Sequence, residues 1–441
     1  MAGRVFYIDP LHGSSGNNGL TSAAYAVGNT GPFGSITDVL WDGDADPDTY
    51  GGSGDTYYLV GSTHDEIRAS NGYKSYSFEA EATRWGHNSY NNYIHLTPLG
   101  GPAKFIGVNT DLEEDGTRYQ IDWYAYISGE SDNQNYGREI FDQNAEGEMF
   151  RNIQFNAVST YAPGRFFSFT SGGNGQYFIN CKWDWSGPYD NQVNYSLITS
   201  SNPSMSFKGC EFVGPGGDYL DCMRSGSSST QHNYVIGCVF TGWKIAYEYA
   251  GASDGFYGNL IYDCYRGIGD YSGTSRNTGQ KYMNNLFYNI TEDAVHLGNG
   301  GYTAVVMNNL FVDIGGYAFN CDSGFTPAHD REFAIRKNVI QNATSGLYGP
   351  DLLAAGNGIY VGFTGDGLYG NISENVTISG LTLSIDSNHS VSITGFPSSA
   401  LGITGTFELG ASSSGTGFLS SGVSGESEGS VEESEQSRVT S

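Results

Sequence analysis

The chain has 441 residues, with 20 Lys and Arg against 47 Asp and Glu, so its formal net charge is −27. A surface this acidic repels nucleic-acid phosphates and anionic lipids, which argues against nucleic-acid binding and membrane insertion. Gly (64 residues), Tyr (32) and Phe (24) are abundant and charged residues make up only 15%. This composition is rich in turn-forming and strand-forming residues, and it predicts an all-β fold.

The N-terminal region predicts a strand, a short helix and a second strand. The first strand falls at residues 5–10, and Ser35 is placed to cap a helix over residues 35–40. The second strand falls at residues 55–63. The first ten residues lack the apolar core of a signal peptide and no later run is long enough to span a bilayer, so we expect no standard secretory export.

An acidic loop follows the predicted helix and has some features of a calcium site. Asp42, Asp44 and Asp46 alternate along it, but Pro47 occupies the glycine position of an EF-hand and Ser53 the position of the bidentate glutamate. A solvated acidic loop is the plainer interpretation, with a loose Ca²⁺ site as the alternative. We expect no other metal and no cofactor.

A short phrase recurs along the middle of the chain: a small or amide residue, any residue, then a large apolar one. Its interval is irregular, as expected when successive coils keep their strands but vary their loops. Residues 93–96 and 105–108 are weaker, earlier phrases. The first positions of the main phrases are Cys181, Cys210, Cys238, Asn259, Asn285, Asn309 and Asn338.

These first positions predict an internal ladder. If equivalent strands stack at the spacing of a parallel sheet, about 4.8 Å, each Asn amide bonds the Asn of the next coil. The six cysteines contain no C-x-x-C pair, which argues against a disulfide scaffold and a zinc site and favours buried free thiols. Besides the three in the ladder, they are Cys222, Cys264 and Cys321.

The N-terminal order of strand, short helix and tyrosine-rich strand resembles the opening of pectate-lyase-like β-helix proteins, and the repeat resembles their coils. The resemblance implies a single-stranded right-handed parallel β-helix, a solenoid with a short N-terminal capping helix. The domain organisation expected from it is an N-terminal cap and first coils over residues 1–70 and the β-helix over 71–380. A capping β segment over 381–410 and a Gly/Ser/Glu-rich tail or assembly arm over 411–441 would follow.

A column of polar residues follows the phrases at a constant offset. Asp221, Glu248 with Tyr249, Asp270, His296 and Asn320 lie at successive equivalent positions. Asp221 and Asp270 would then be two coils apart, roughly 9 to 10 Å by doubling the strand spacing, near the carboxylate separation of inverting glycosidases. Asp221, Asp270 and His296 are therefore the candidate catalytic residues. A polar column on the outward side of a solenoid is also expected without any function.

Residues suited to sugar contacts surround the same coils. Aromatic faces stack on sugar rings, and amide or charged groups bond their hydroxyls. The candidate carbohydrate-binding residues are Trp243, Tyr249, Glu248, Arg266 and Asn320, with Asp254, Asp263 and Asp293 as further candidates.

The main functional hypothesis is a bacteriophage virion protein, a tailspike, fibre or capsid-surface decoration protein that contacts cell-surface glycan. It is motivated by a solenoid without a secretion signal, a short N-terminus that starts directly on the fold, and a Gly/Ser/Glu-rich tail suited to an assembly arm. The resemblance to β-helical virion proteins implies a virion-surface location, a homotrimer, and other virion proteins and cell-surface polysaccharide as partners. The alternative is a polysaccharide lyase or glycoside hydrolase of the pectate-lyase-like superfamily. A third hypothesis is a non-catalytic structural or adhesive surface protein.

Overall fold

The computed structural model describes residues 3–13, 18–20, 31–34, 54–61, 65–69, 94–95, 102–125, 139–143, 147–157, 165–169, 175–185, 196–200, 204–217, 220–225, 233–248, 254–269, 280–297, 304–321, 333–336, 338–348, 360–361 and 372–374. Every regular element in this part of the chain is a β-strand, so the all-β prediction is confirmed. The chain divides into two compact units, Met1–Tyr247 and Glu248–Ser441.

Unit 1 consists of short strands. In chain order they are β1 (Val5–Ile8), β2 (Thr56–Val60), β3 (Asp65–Ala69), β4 (Ile94–His95), β5 (Lys104–Val108), β6 (Tyr119–Ala125), β7 (Glu139–Gln143), β8 (Met149–Arg151), β9 (Ile153–Ala157), β10 (Arg165–Phe169), β11 (Gln176–Ile179), β12 (Lys182–Asp184), β13 (Ser196–Ser200), β14 (Met205–Lys208), β15 (Glu211–Val213), β16 (Asp221–Ser225), β17 (Tyr234–Ile236), β18 (Val239–Thr241) and β19 (Ile245–Glu248), within which the unit ends.

The strands of unit 1 pair in three parallel ladders. Ladder A1 contains β1, β2, β5, β8, β11, β14 and β17. Ladder B1 contains β3, β6, β9, β12, β15 and β18. Ladder C1 contains β4, β7, β10, β13, β16 and β19. From β2 onward each strand therefore pairs with the strand three places along the chain, as in a coil of three strands per turn.

Unit 2 is also built from parallel ladders, and two of its longer strands each take part in two ladders. Its strands are β20 (Gly255–Tyr257), β21 (Leu260–Tyr262), β22 (Arg266–Gly269), β23 (Gln280–Met283), β24 (Leu286–Ile290), β25 (Val295–Leu297), β26 (Ala304–Met307), β27 (Leu310–Cys321), β28 (Phe333–Arg336), β29 (Val339–Tyr348), β30 (Tyr360–Val361) and β31 (Ile372–Glu374). Ladder A2 contains β20, β23, β26, β28 and β30. Ladder B2 contains β21, β24, the first part of β27, β29 and β31. Ladder C2 contains β22, β25 and the later parts of β27 and β29. The all-parallel pairing in each unit is compatible with a parallel β-helix.

Stacked aromatic rings fill the interior of unit 1. Parallel in-register strands point alternate residues the same way, so like side chains lie over one another. Ring centroids along one column are 4.8–5.2 Å apart, and along the other 4.7–5.3 Å. The first column is Phe6, Tyr57, Phe105, Phe150, Phe178 and Phe207, and the second is Phe155, Trp183, Phe212 and Phe240, all fully buried.

The asparagines of the repeat form a hydrogen-bonded column in unit 2. Asn259 Nδ2 donates to Asn285 Oδ1 at 2.9 Å, and Asn285 Nδ2 donates to Asn309 Oδ1 at 2.9 Å. Asn309 Nδ2 donates to Asn338 Oδ1 at 3.0 Å. The same oxygens also accept the backbone N–H one coil away. Every amide of this column is buried and satisfied, so these residues hold neighbouring coils in register.

The cysteines of the repeat stack in unit 1 as buried thiols. Cys181 Sγ donates to Phe150 O at 3.5 Å and Cys210 Sγ donates to Phe178 O at 3.4 Å, while Cys238 Sγ accepts the Cys210 N–H. Burial raises the pKa of the Cys181 and Cys210 thiols well above the ordinary value. Cys222 and Cys264 are also buried thiols. All five act as small core side chains.

Several predicted features fall outside the described residues. They are the capping helix at 35–40, the acidic loop with Asp42, Asp44 and Asp46, the domain boundaries near residues 70, 380 and 410, and the tail at 411–441. Among the residues that are described, no helix is long and apolar enough to cross a membrane. That same part of the chain contains no cluster of three or more His, Cys, Asp or Glu suited to a metal ion.

Candidate functional site

The outward side of ladder C2 carries the candidate site. Ile268, Val295 and Phe319 are register partners on successive coils and all are buried. Because side chains alternate along a strand, the next residues, Gly269, His296 and Asn320, point to the opposite side. The structure thus brings two of the predicted site residues, His296 and Asn320, together in register.

An aspartate in the turn before β25 joins these two side chains. Asp293 Oδ2 lies 3.1 Å from His296 Nδ1 and accepts a 2.7 Å hydrogen bond from Asn320 Nδ2. Asp293 Oδ1 accepts the Tyr317 N–H at 2.9 Å. We call Asp293, His296 and Asn320 the Asp–His–Asn cluster. Its imidazole and carboxylate side chains are 14% and 16% exposed, so the cluster is largely desolvated but reachable from solvent.

The cluster holds Asp293 in its ionised form. Burial raises the pKa of Asp293, but the hydrogen bonds from His296, Asn320 and the Tyr317 N–H together lower it by more, so the pKa lies below its ordinary value. An ionised carboxylate only accepts hydrogen bonds, so Nδ1 of His296 carries the proton. Nε2 is then the basic nitrogen of the imidazole, and the carboxylate stabilises the charge when Nε2 takes up a proton.

A second group of charged residues lies beside the cluster in sequence. Tyr265 OH donates to Glu292 Oε1 at 2.5 Å, and Arg266 Nε donates to Glu292 Oε2. The Arg266 guanidinium lies 5.8 Å from the centroid of the Tyr265 ring. Arg266 and Glu292 are 31% and 36% exposed, so their ion pair is screened by solvent and compensates the arginine charge locally.

Close backbone packing fixes the turn that carries both acids. A Cβ on Gly267 would lie 2.0 Å from Ala294 O, and one on Gly316 would lie 2.6 Å from Asp293 Oδ1. The Gly267 N–H also donates to Asp293 O at 3.0 Å, and the Gly316 N–H to Glu292 O at 3.0 Å. The turn is therefore held from both sides, which keeps Asp293 in place without rearrangement.

Unit 1 contains a similar Asp–His pair. Asp9 Oδ2 lies 2.9 Å from His12 Nδ1, and Asp9 Oδ1 accepts the N–H groups of Leu11 and His12 within the same turn. Asp293 accepts an amide from Asn320, which lies one coil away. The cross-coil contact makes the Asp–His–Asn cluster an assembled site.

The other predicted site residues have different positions. Trp243 is fully buried and its Nε1 donates to Phe212 O at 2.9 Å, so its indole has no face toward solvent to stack on a sugar, contrary to the prediction. Glu248 is also buried. Asp221 begins β16 in register with Ser196, and Asp270 and Tyr249 lie outside the described residues. The spacing predicted for Asp221 and Asp270 stays a prediction.

Sequence reasoning placed Asp293 only among secondary candidates and overlooked Glu292. The sequence does contain a signal for both residues. They are two adjacent acids in a short turn, and Asp293 lies three residues before His296. An i, i+3 spacing across a tight turn brings a carboxylate back to an imidazole, as Asp9 and His12 also show.

No protein-family model and no curated protein matches this sequence. Among solved structures, the chain is similar to a GH136 lacto-N-biosidase from Eubacterium ramulus, with a TM-score of 0.40 and 11% identity over 85% of this chain and 67% of the other. It is also similar to a rhamnogalacturonan lyase, with a TM-score of 0.30 and 10% identity over 88% of this chain and 90% of the other. Likeness at this level of identity concerns the fold alone.

Proposed function

We propose that this chain is a carbohydrate-active protein with the right-handed parallel β-helix fold, and that the Asp–His–Asn cluster is its catalytic centre. Two facts support the fold. The strands of each unit pair in three parallel ladders, and crossover connections between parallel strands are nearly always right-handed. The observation that carries the function is the ionised, largely desolvated Asp293 bonded across coils to Asn320 and to His296.

In the proposed reaction His296 is the general base of glycan hydrolysis. Nε2 takes a proton from a water molecule as the water oxygen bonds to the anomeric carbon, and the glycosidic C–O bond breaks. The departing sugar oxygen takes a proton from solvent or from a donor on the substrate. Asp293 stabilises the imidazolium, and Asn320 holds the carboxylate in place, so general base catalysis of about 10² to 10⁴-fold is available.

Hydrolysis fits the site better than β-elimination. A lyase needs a cation to neutralise the uronate carboxylate while the base removes the adjacent proton. Among the described residues of the ladder C2 strands the cation is Arg266, and its ion pair with Glu292 already compensates its charge. The products distinguish the two reactions, because elimination leaves an unsaturated uronate and hydrolysis leaves a saturated sugar.

The test is cleavage of a panel of neutral and acidic polysaccharides by the full chain, followed as release of reducing ends. We expect His296→Ala to lower kcat by about 10² to 10⁴-fold with little change in KM. The matched control is His12→Ala, which removes the other Asp–His pair and should leave kcat unchanged. Wild-type protein that cleaves no glycan, or equal loss in both variants, would overturn the proposal.

The bacteriophage hypothesis stays a prediction, together with its homotrimer, its virion partners and its virion-surface location. Its test is genetic: portal, capsid or tail genes beside this gene support it, and a polysaccharide-utilisation cluster opposes it.

A further inference from the structure

The outward side of ladder A1 is unlike the rest of this acidic protein. On its last three strands the outward residues are Tyr177 and Ile179, then Ser206 and Lys208, then Tyr234 and Ile236. We call these six residues the tyrosine–lysine face. Tyr177 is 50% exposed, Tyr234 45% and Ile236 38%, and Lys208 is exposed as well. The face therefore presents two phenol rings and an ammonium group to solvent.

The charge on this side of unit 1 is opposite to that of the whole chain. The outward residues of the A1 strands include Lys104, Arg151 and Lys208 and no Asp or Glu, although acids outnumber bases 47 to 20 in the sequence. Arg151 pairs with Glu114 of a nearby turn at 2.9 Å. Among the described residues Lys208 has no carboxylate within ion-pairing distance, so its charge is uncompensated there.

Ladder B1 of the same unit shows the ordinary arrangement. Two of its acids, both on strands whose side chains are described, are paired with bases: Lys182 Nζ lies 3.0 Å from Asp184 Oδ2, and Arg118 Nη2 lies 2.7 Å from Glu211 Oε1. A surface whose charges compensate each other has no preference for a charged ligand. Lys208 lies on the coil between those of the two exposed tyrosines, and its uncompensated charge favours an anion carried on a flat or apolar scaffold.

We propose that the tyrosine–lysine face is a binding site for an acidic polysaccharide, formed by unit 1 and independent of the Asp–His–Asn cluster. Tyr177 and Tyr234 are two coils apart, roughly 9 to 10 Å by doubling the strand spacing, so both rings can stack on sugars of one extended chain. Lys208 lies on the coil between them, where it pairs with a sugar carboxylate, and the Ser206 hydroxyl bonds ring oxygens or hydroxyls.

Charge decides between this occupant and a second copy of the chain. In a two-fold contact the same face of each copy meets the other, so the two Lys208 ammonium groups would approach one another. The described A1 strands of neither copy carry an outward carboxylate that could neutralise this repulsion. A carboxylated polymer supplies the missing charge at each repeat. The net charge of −27 opposes any polyanion, so binding depends on the basic residues of the A1 strands, and screening beyond about 8 Å at physiological salt limits the effect of distant acids.

The test measures binding of polygalacturonate, with neutral dextran as the comparison, to the full chain by calorimetry. We expect saturable binding of polygalacturonate that weakens as salt rises, and no binding of dextran. Lys208→Glu should weaken the affinity about tenfold or more, and the double variant Tyr177→Ala/Tyr234→Ala about threefold to tenfold. Circular dichroism of each variant shows whether its strands are intact.

Two control variants distinguish the tyrosine–lysine face from the rest of the described surface. Tyr262→Ala and Tyr288→Ala are equivalent truncations on ladder B2, and both should bind polygalacturonate as the wild type does. The proposal is overturned if the wild type does not bind, if dextran binds equally, or if Tyr262→Ala weakens binding as much as the face variants. It is also overturned if sedimentation shows a wild-type oligomer that the double tyrosine variant dissociates, since the face would then be an interface between copies.

Discussion

The properties of single residues in this protein depend on which residue lies one coil away. Asp293 is ionised because Asn320, on the following coil, donates to it along with His296 and the Tyr317 N–H. The sequence revealed His296 and Asn320, since both occupy the outward position after the repeat phrase. The period of the repeat does not show that Asp293 turns back toward them, because it does not encode the conformation of a turn, and only the i, i+3 spacing to His296 indicates that contact.

Asp293→Asn gives the residue-scale prediction. The pKa of Asp293 is lowered by folding, so its ionised form stabilises the native state above about pH 4, and this contribution is lost as the pH falls through the lowered pKa. We expect the variant to lose about 1.5 to 3 kcal/mol of unfolding free energy at neutral pH, from hydrogen bonds to a charged group. The difference from wild type should shrink in acid.

Urea unfolding of both proteins at neutral pH and near pH 3 measures this difference. Asp263→Asn is a suitable control, since its carboxylate accepts an amide from Asn289 at an exposed site. A deficit for Asp293→Asn that stays constant from neutral pH into acid would show that the carboxylate is not ionised in the way described.

At the scale of elements, the repeat phrase predicted stacking well and predicted exposure poorly. Cys210 and Asn285, each the first residue of a repeat phrase, lie in the stacked column that the repeat predicts. Each follows a turn residue in the left-handed conformation, Gly209 or Asn284, which ends the preceding strand. Trp243 was assigned to the surface from its neighbours. It lies beyond the end of β18, in a connection whose side chains do not alternate as in a strand, and it turns inward to bond Phe212 O.

A glycine within strand β22 of ladder C2 gives the element-scale prediction. Gly267→Ala would place a Cβ 2.0 Å from Ala294 O, a backbone atom that cannot move without breaking the coil contact. We expect a loss of about 1 to 3 kcal/mol in unfolding free energy and a fall in any cleavage activity, since Asp293 O bonds to the same glycine.

The control for this substitution is Gly61→Ala. Its Cβ would lie 3.1 Å from Val108 O and 3.6 Å from a Thr117 methyl, so the neighbours need to move only slightly. We expect it to change stability by less than about 1 kcal/mol in the same denaturant titration. Equal stability of the two variants would contradict the close packing described around Ala294.

At the scale of the molecule, the two proposed sites lie on different ladders, one in each unit. The outward side of C2 carries a carboxylate–imidazole pair, and the outward side of A1 carries tyrosines and cations. Composition predicted the all-β class and the repeat predicted parallel stacking. The location of the tyrosine–lysine face could not be predicted, since Tyr177 and Tyr234 look like core residues until the register shows which positions point outward.

Both proposed sites require successive coils to stack in register. A double-mutant cycle on the asparagine column tests that stacking most directly, in unit 2. Asn285→Ala and Asn309→Ala remove side chains that bond each other at 2.9 Å, so their effects on unfolding free energy should couple by about 0.5 to 3 kcal/mol. Asn285→Ala and Asn338→Ala, two coils apart, should be closer to additive. Full additivity of the Asn285 and Asn309 substitutions would contradict the stacked-coil structure of unit 2, on which the Asp–His–Asn cluster depends.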